Sequence, residues 1–274
     1  MAIKFITDST AYLPKKLLEM YDISVLPLSV SFGNDIYKET EISQEFFFDT
    51  LAIFDGFPKS SQPSVTNTQE VFRKILERGD DIIGVFLSSE MSGTYQTTYL
   101  IGEALKTEFP ERKIEIIDSR TNSMQLGLCV LKGIEVLEKG FEASVEKVKH
   151  TISHSKFIFI PETLEYLKRG GRIGSAKALL SSILQIKPIL TVEDGKTHVL
   201  SKVRTRKKAI ESMVEIYNKT EGTITDTFIH HIHCEEDAKL LSDKLKGNFE
   251  AIPIGPVIGT HVGPGAIGIV YCWE

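Results

Sequence analysis

The chain has 274 residues, 42% of them hydrophobic, a formal net charge of −5 and a sequence pI near 5.9. That length and apolar content suffice for a sizeable core in two domains, while the acidic balance excludes nucleic acid as the main partner, because neutralising phosphates takes a basic surface. No basic segment leads into an apolar stretch at the start, no run approaches about 18 apolar residues, and Cys129, Cys234 and Cys272 are odd in number and far apart, so a soluble, cytoplasmic protein with reduced thiols is expected.

In chain order, residues 3–7 read as a strand, 14–21 as a helix and 23–32 as a second strand. Helices follow near 43–51 and 68–78, then a strand at 82–87, a helix from 94 to 107, a strand at 113–118 and a helix over 123–139. Short apolar runs alternating with amphipathic stretches mark a parallel sheet covered by helices. Asp8-Ser9, Ser88-Ser89 and Asp118-Ser119 then recur at the carboxyl ends of three strands, on the rim where a doubly wound sheet opens its crevice. After Gly140 the pattern changes. A helix near 143–152 precedes a strand at 157–160, a helix over 162–169 stopped by the left-handed cap signal Gly170-Gly171, and a helix over 175–184. Strands 186–192 and 198–203 form a hairpin whose turn contains Asp194-Gly195. A helix over 206–219, a strand at 227–233, a helix over 235–246 and strands at 250–254 and 266–271 complete the chain. The fold class is α/β: an N-terminal doubly wound, mostly parallel sheet with helices on both faces over residues 1–155, and a C-terminal α+β domain over 156–274, with a ligand between them.

Two glycine-bearing polar segments carry the chemistry, Leu87-Ser-Ser-Glu-Met-Ser-Gly-Thr-Tyr95 and His261-Val-Gly-Pro-Gly265, each following or lying within an apolar run that reads as a strand. Ser92, Thr94 and His261 bring side-chain donors, and Gly93, Gly263 and Gly265 leave the main chain open to a ligand. Donors that are mostly uncharged favour a carboxylate over a polyphosphate, which calls for Lys, Arg or a metal. Each segment also has a purely structural reading. Ser92, Gly93 and Thr94 fit a helix N-cap, Ser60-Ser61-Gln62-Pro63-Ser64 a surface turn, Arg172 a cation at a helix C-terminus, and His261 a satisfied structural histidine. Lys202-Val-Arg-Thr-Arg-Lys-Lys208 fits a solvated helix face. His230, His231, His233 and Cys234 match no standard zinc spacing, although His231 and His233 would share one face of a strand.

Taken in order, Ile6-Thr-Asp-Ser-Thr-Ala-Tyr-Leu-Pro14, Ser60-Ser-Gln-Pro-Ser64, Ser88-Ser-Glu-Met-Ser-Gly-Thr-Tyr95, Ile117-Asp-Ser119, Thr163-Leu-Glu-Tyr-Leu-Lys-Arg-Gly-Gly-Arg-Ile-Gly174 and His261-Val-Gly-Pro-Gly-Ala266 resemble the DegV family of bacterial fatty-acid-binding proteins. The resemblance spans nearly the whole chain. It implies a long-chain fatty acid whose carboxylate meets Ser60, Ser61, Ser92, Gly93, Thr94, His261 and Gly263, with Arg172 near the headgroup. Ser60 and Val262 both stand where the family more usually has threonine. The resemblance further implies a carrier that is not itself an enzyme. It presents the carboxylate to a separate ATP-dependent fatty acid kinase subunit docked through Arg204 or Arg206, and hands the acyl phosphate toward phospholipid synthesis, with a transient contact to membrane or an acyltransferase. No cofactor is implied beyond the bound fatty acid, and the chain has no Gly-x-x-x-x-Gly-Lys-Ser/Thr loop.

Burying about 15 methylenes at roughly 0.8 kcal/mol each would supply on the order of 12 kcal/mol before ordering and association costs. Leu26, Leu28, Val30, Phe32, Leu164, Leu167, Ile173, Leu179, Leu180, Ile183, Leu184 and Ile186 are candidates for the tunnel wall and equally for ordinary core. The alternative function is a small acyl-ester hydrolase with Ser92 as nucleophile and His261 as base, although no Gly-x-Ser-x-Gly elbow is present.

Overall fold

A computed structural model of the chain describes residues 2–180, 186–247 and 249–274. Strand β1 (Ile3–Asp8) and helix α1 (Lys15–Met20) lead to β2 (Ser24–Leu26), which pairs parallel with β1. The expected single strand over 23–32 is broken at Pro27, which has no N–H to give a ladder, and the Leu28 amide turns to the Ser9 hydroxyl at 3.1 Å. Strand β3 (Ser29–Phe32) therefore joins a different sheet, between β4 (Asp35–Lys38) and, beyond helix α2 (Gln44–Ile53), β5 (Lys59–Ser61), both antiparallel to it.

Helix α3 (Val65–Glu77), β6 (Asp81–Phe86), α4 (Thr94–Glu108) and β7 (Ile114–Asp118) complete a four-stranded parallel sheet in the order β2-β1-β6-β7. Side chains alternate across it with the period of two that a strand imposes. Ile6, Ile82, Phe86 and Ile116 face α3 and α4, while Phe5, Ile83, Val85 and Ile117 face the interior. Helix α5 (Ser123–Ile134) is buried nearly all round, as its apolar sequence demands. It ends earlier than expected: a short tight turn over Leu137–Lys139 follows, and Gly140, at φ +98°, opens helix α6 (Phe141–Ser153). The close approach of α6 to α5 needs Gly133, where a Cβ would lie 2.6 Å from Val148 and 2.8 Å from Phe5.

The rest of the chain builds a six-stranded sheet in the order β10-β9-β8-β13-β11-β12. Its elements are β8 (Ser155–Ile160), helix α7 (Glu165–Arg169), β9 (Lys187–Glu193), β10 (Lys196–Val203), α8 (Arg206–Asn218), β11 (Ile224–His231), α9 (Glu235–Leu245), β12 (Ala251–Pro253), α10 (Pro256–Val262) and β13 (Ile267–Trp273). Ile158, Ile160, Ile229 and Ile269 lie with α8 and α9, and Phe157, Phe159 and Val270 face α5 and the first sheet. The layers are thus helices, parallel sheet, α5 with α6, mixed sheet, helices. The class is α/β, with a parallel helix-covered sheet and a further sheet-rich region.

Three local readings change. The left-handed residue after α7 is Gly171, at φ +72°, while Gly170 stays right-handed. Of the helix expected over 175–184, the described part is a tight 3-10 turn within Gly174–Leu179, and residues 181–184, with Ile183 and Leu184 among them, lie outside the described residues. His261 does not sit at a strand end but in the last turn of α10, a helix the sequence reading passed over.

Candidate functional site

The carboxyl ends of β1, β6 and β7 share one rim, and their polar residues are spent on the backbone of that rim. Asp8 accepts from the Leu87 amide at 2.8 Å and the Thr10 amide at 2.9 Å, and burial raises its carboxyl to about 6. Asp118 accepts from the Ser89 hydroxyl at 2.5 Å and the Arg120 amide at 2.9 Å. Ser88 donates to the Gly195 carbonyl at 2.8 Å, which ties the β9–β10 turn to the rim.

These contacts hold the segment between β6 and α4 over a cleft with about 830 Å³ of space between atoms, its open mouth included. Ligand pockets commonly fall in this size range. Its polar wall is Ser60, Ser61, Gln62, Ser92, Gly93, Asn122, Arg172, Thr197 and His261; its apolar wall is Leu28, Leu87, Met91, Phe157, Phe159, Leu167, Val192, Val257, Ile258 and Val262. Ser61, Gln62, Gly93 and Arg172 are exposed at the mouth, whereas Leu28, Leu87, Phe157 and Phe159 are buried. The cleft therefore grades from polar entrance to apolar interior.

Six sequence-predicted residues meet there: Ser60, Ser61, Ser92, Gly93, Arg172 and His261. Ser60 and Ser61 lie not on a free turn but on β5, where pairing with β3 sets Ser60 opposite Val30. The Ser60 hydroxyl and His261 Nε2 are 2.7 Å apart, whereas Nδ1 is buried without a hydrogen-bond partner among the described residues. Burial, with the Arg172 guanidinium adding to it, pushes the His261 imidazole down to about 4. The ring is neutral at neutral pH and can donate through Nε2 to an anion. Gly170 is what admits it, because a Cβ there would lie 2.2 Å from His261 Nδ1.

Gly93 is the N-cap of α4, and Ser92, just before it, serves the helix terminus and lines the cleft. Its hydroxyl accepts from the Thr94 amide at 3.2 Å and lies 2.9 Å from the Thr94 hydroxyl. Thr94 itself is fully buried beneath the first turn of α4 and does not reach the cleft. Gly263 is also outside the wall: at φ +81° it turns the chain out of α10, and the Tyr166 ring fills the place of its Cβ at 2.2 Å. Arg172 donates from Nε to the Met91 carbonyl at 2.9 Å and from Nη1 to the Gly170 carbonyl at 2.5 Å, tying the segment before α4 to the turn after α7 at the mouth.

Of the tunnel candidates among the described residues, only Leu28 and Leu167 line the cleft. Leu26 belongs to the core under α3, Val30, Phe32 and Ile173 are buried among other side chains, and Leu180 is exposed. The sequence reading missed Phe157 and Phe159, which share one face of β8 by strand parity, and Val257, Ile258 and Val262, which share a helical face with His261. The hydrolase pair is not assembled, for His261 bonds Ser60 rather than Ser92 and no acid among the described residues orients Nδ1.

The two docking candidates separate. Arg206 is held by Asp237 at 2.7 Å and donates to the Gly265 carbonyl at 2.6 Å, while Arg204 is exposed and makes no ion pair or hydrogen bond among the described residues. His230 is buried beside the Ser123 hydroxyl at 3.1 Å, and His233 packs against Phe48 with ring centroids 4.3 Å apart and the rings tilted by 51°. Among the described residues no group of three or more His, Cys, Asp or Glu is placed to hold a metal ion, and no helix is long and apolar enough to cross a membrane.

Residues 2–274 match the family model described as "Uncharacterised protein, DegV family". A DegV domain-containing protein of Clostridium acetobutylicum is 43% identical over 284 residues, which cover 100% of this chain and 99% of the relative. Among solved structures, a DegV family protein from Thermus thermophilus, described for its fatty acid binding, has a TM-score of 0.89 at 32% identity with 100% of both chains covered. A fatty acid (stearic acid)-binding protein from Eubacterium ventriosum has a TM-score of 0.88 at 27% identity, covering 100% of this chain and 98% of its own.

Proposed function

The chain belongs to the DegV family, and on that premise we propose that it binds one long-chain fatty acid, acyl chain inward, with the carboxylate at the mouth of the cleft. The observation that carries this reading is the convergence of Ser60, Ser92 and His261 on the polar end of a cleft whose inner wall is apolar. Affinity comes from burial of the methylenes, and the neutral donors keep a buried carboxylate from losing its hydrogen bonds, a loss that would be costly. The two lobes that hold it divide near residue 155.

The carrier reading extends to a separate ATP-dependent kinase subunit in the cytoplasm, to which the chain offers the carboxylate and from which it takes the acyl phosphate toward phospholipid synthesis. Arg204 is the docking residue favoured by its exposure, since Arg206 is already engaged. Arg172, at the mouth, supplies positive charge for a phosphorylated headgroup.

Binding of palmitate or oleate to delipidated protein tests the site. Each of Ser92→Ala and His261→Ala removes a donor to a charged group, worth about 1.5–3 kcal/mol, so Kd should rise roughly 10- to 150-fold with the circular dichroism spectrum unchanged. Parent-like affinity in both variants would reject this headgroup site.

A further inference from the structure

Helix α10 carries His261, yet little in its own sequence holds it in place. It has seven residues, with Gly259 and Thr260 in its last turns, and its helix propensity is poor. Its position is imposed from outside at three points. Glu39, buried directly after β4, accepts through Oε1 from the Val257 amide at 2.8 Å and from the Tyr12 hydroxyl at 2.7 Å. The Tyr12 oxygen in turn accepts from the Ile258 amide at 3.2 Å. Two of the first free amides of the helix are thereby satisfied by a carboxylate and a phenol, and the carboxylate sits at the positive end of the helix dipole. Gly255 lets this clamp close: a Cβ there would lie 2.7 Å from the Tyr12 ring and 2.9 Å from Glu39 Oε1. At mid-helix, Phe48 packs on Gly259, where a Cβ would lie 2.9 Å from its ring. At the far end Ser60 holds His261.

The two ends of the helix are gripped by one small sheet. The Glu39 amide donates to the Leu28 carbonyl at 2.9 Å, continuing the β4 side of β3, and Ser60 pairs opposite Val30 on the β5 side. Glu39 and Ser60 thus flank the same strand, two strand spacings apart across it and two residues apart along it, about 12 Å in all. Val257 and His261, the residues they hold, are about 6 Å apart along the helix axis, which side-chain reach makes up. We propose that Tyr12 and Glu39 are positioning residues for the fatty-acid carboxylate: they fix the N-terminus of α10 against the sheet that bears Ser60, and so set where His261 Nε2 stands. They touch no ligand themselves. This rests on the fatty-acid reading of the cleft, and it goes beyond it in assigning a role to residues on the opposite side of α10.

The test is a double-mutant cycle on palmitate affinity, measured below the melting midpoint of each variant. Tyr12→Phe is the mild probe; Glu39→Gln keeps an oxygen acceptor and Glu39→Leu does not. Tyr12→Phe is expected to raise Kd about tenfold in the parent and less than twofold in a His261→Ala background, because only the histidine is being mispositioned. Glu39→Gln should stay within about threefold of the parent where Glu39→Leu loses tenfold or more. Equal losses with and without His261, or parent-like affinity in Tyr12→Phe, overturn the proposal. The ring ¹⁵N resonances of His261 in lipid-free protein give a second reading. Displacement of the Nε2 signal in Tyr12→Phe supports the clamp, and coincidence with the parent overturns it. Because that signal needs no ligand, a parent that binds no palmitate would dispose of the fatty-acid reading without deciding the clamp.

Discussion

At the residue scale the site turns on an imidazole kept neutral. The unfolded chain protonates this histidine near pH 6.5 and the folded protein only near 4. Between those values the unfolded state holds more protons, so His261 makes the fold less stable as pH is lowered. Asp8 works in the opposite sense, for its carboxyl is raised to about 6 from 3.8 and folding favours its protonated form as pH falls through that range. Comparison within one background cancels the Asp8 contribution. In lipid-free protein, His261→Asn should show a shallower fall of Tm than the parent as pH drops from 6.5 to 4; parallel curves would mean that His261 is not the neutral buried group described. Ser92 adds the second lesson at this scale. One hydroxyl accepts from the first amide of α4 and also lines the cleft, so service to a helix terminus and exposure to a cleft are compatible in a single residue.

At the scale of elements, the β9–β10 turn is what joins the second sheet to the rim of the first. Asp194 and Gly195, at φ +50° and +81°, make the tight turn that their sequence announces. The Gly195 carbonyl accepts from Ser88 at 2.8 Å, Arg120 donates to the Asp194 carbonyl, and Lys196 pairs with Glu90 at 3.0 Å. A Cβ on Gly195 would meet the Ser88 hydroxyl at 2.5 Å. Gly195→Ala should therefore cost about 1–2 kcal/mol through backbone strain and loss of that contact, lowering Tm by roughly 2–8 °C in a thermal melt. An unchanged Tm would show that the turn is not docked. The same elements explain how far the sequence could be read. Strands β1, β6, β7 and β8 and the β9–β10 hairpin were legible because apolar runs and turn residues are local signals. Strand β5 was not, since Lys59-Ser60-Ser61 has no apolar pattern and becomes a strand only by pairing with β3. Helix α10 was hidden by Gly259, which lowers propensity but is required where Phe48 closes on the helix. Thr94 and Gly263, expected at the carboxylate, lie instead under the α4 terminus and at the α10 exit, places that linear spacing does not distinguish from the lining of a cleft.

For the whole molecule, the cleft exists because two sheets face each other across α5 and leave part of their facing surfaces unfilled. Phe157 and Phe159 from one sheet and Leu87 from the end of the other provide its inner wall, which is why tunnel residues could not be picked from apolar content alone. On the carrier reading, the partner surface and the lipid site are separate. Arg204→Glu should reduce phosphorylation of bound fatty acid by a cognate kinase about tenfold or more while changing lipid Kd less than twofold, as expected for an exposed docking charge that is not part of the cleft wall. Equal phosphorylation of variant and parent would remove Arg204 from the docking surface. The central claim, a single acid held head-outward in an apolar cleft, is tested most directly by native mass spectrometry of protein purified gently from a bacterial host. The account predicts a species heavier than the polypeptide by one long-chain fatty acid, lost on organic extraction and restored by added palmitate or oleate with a rise in Tm. Polypeptide mass alone before and after addition, with Tm unmoved, would contradict it.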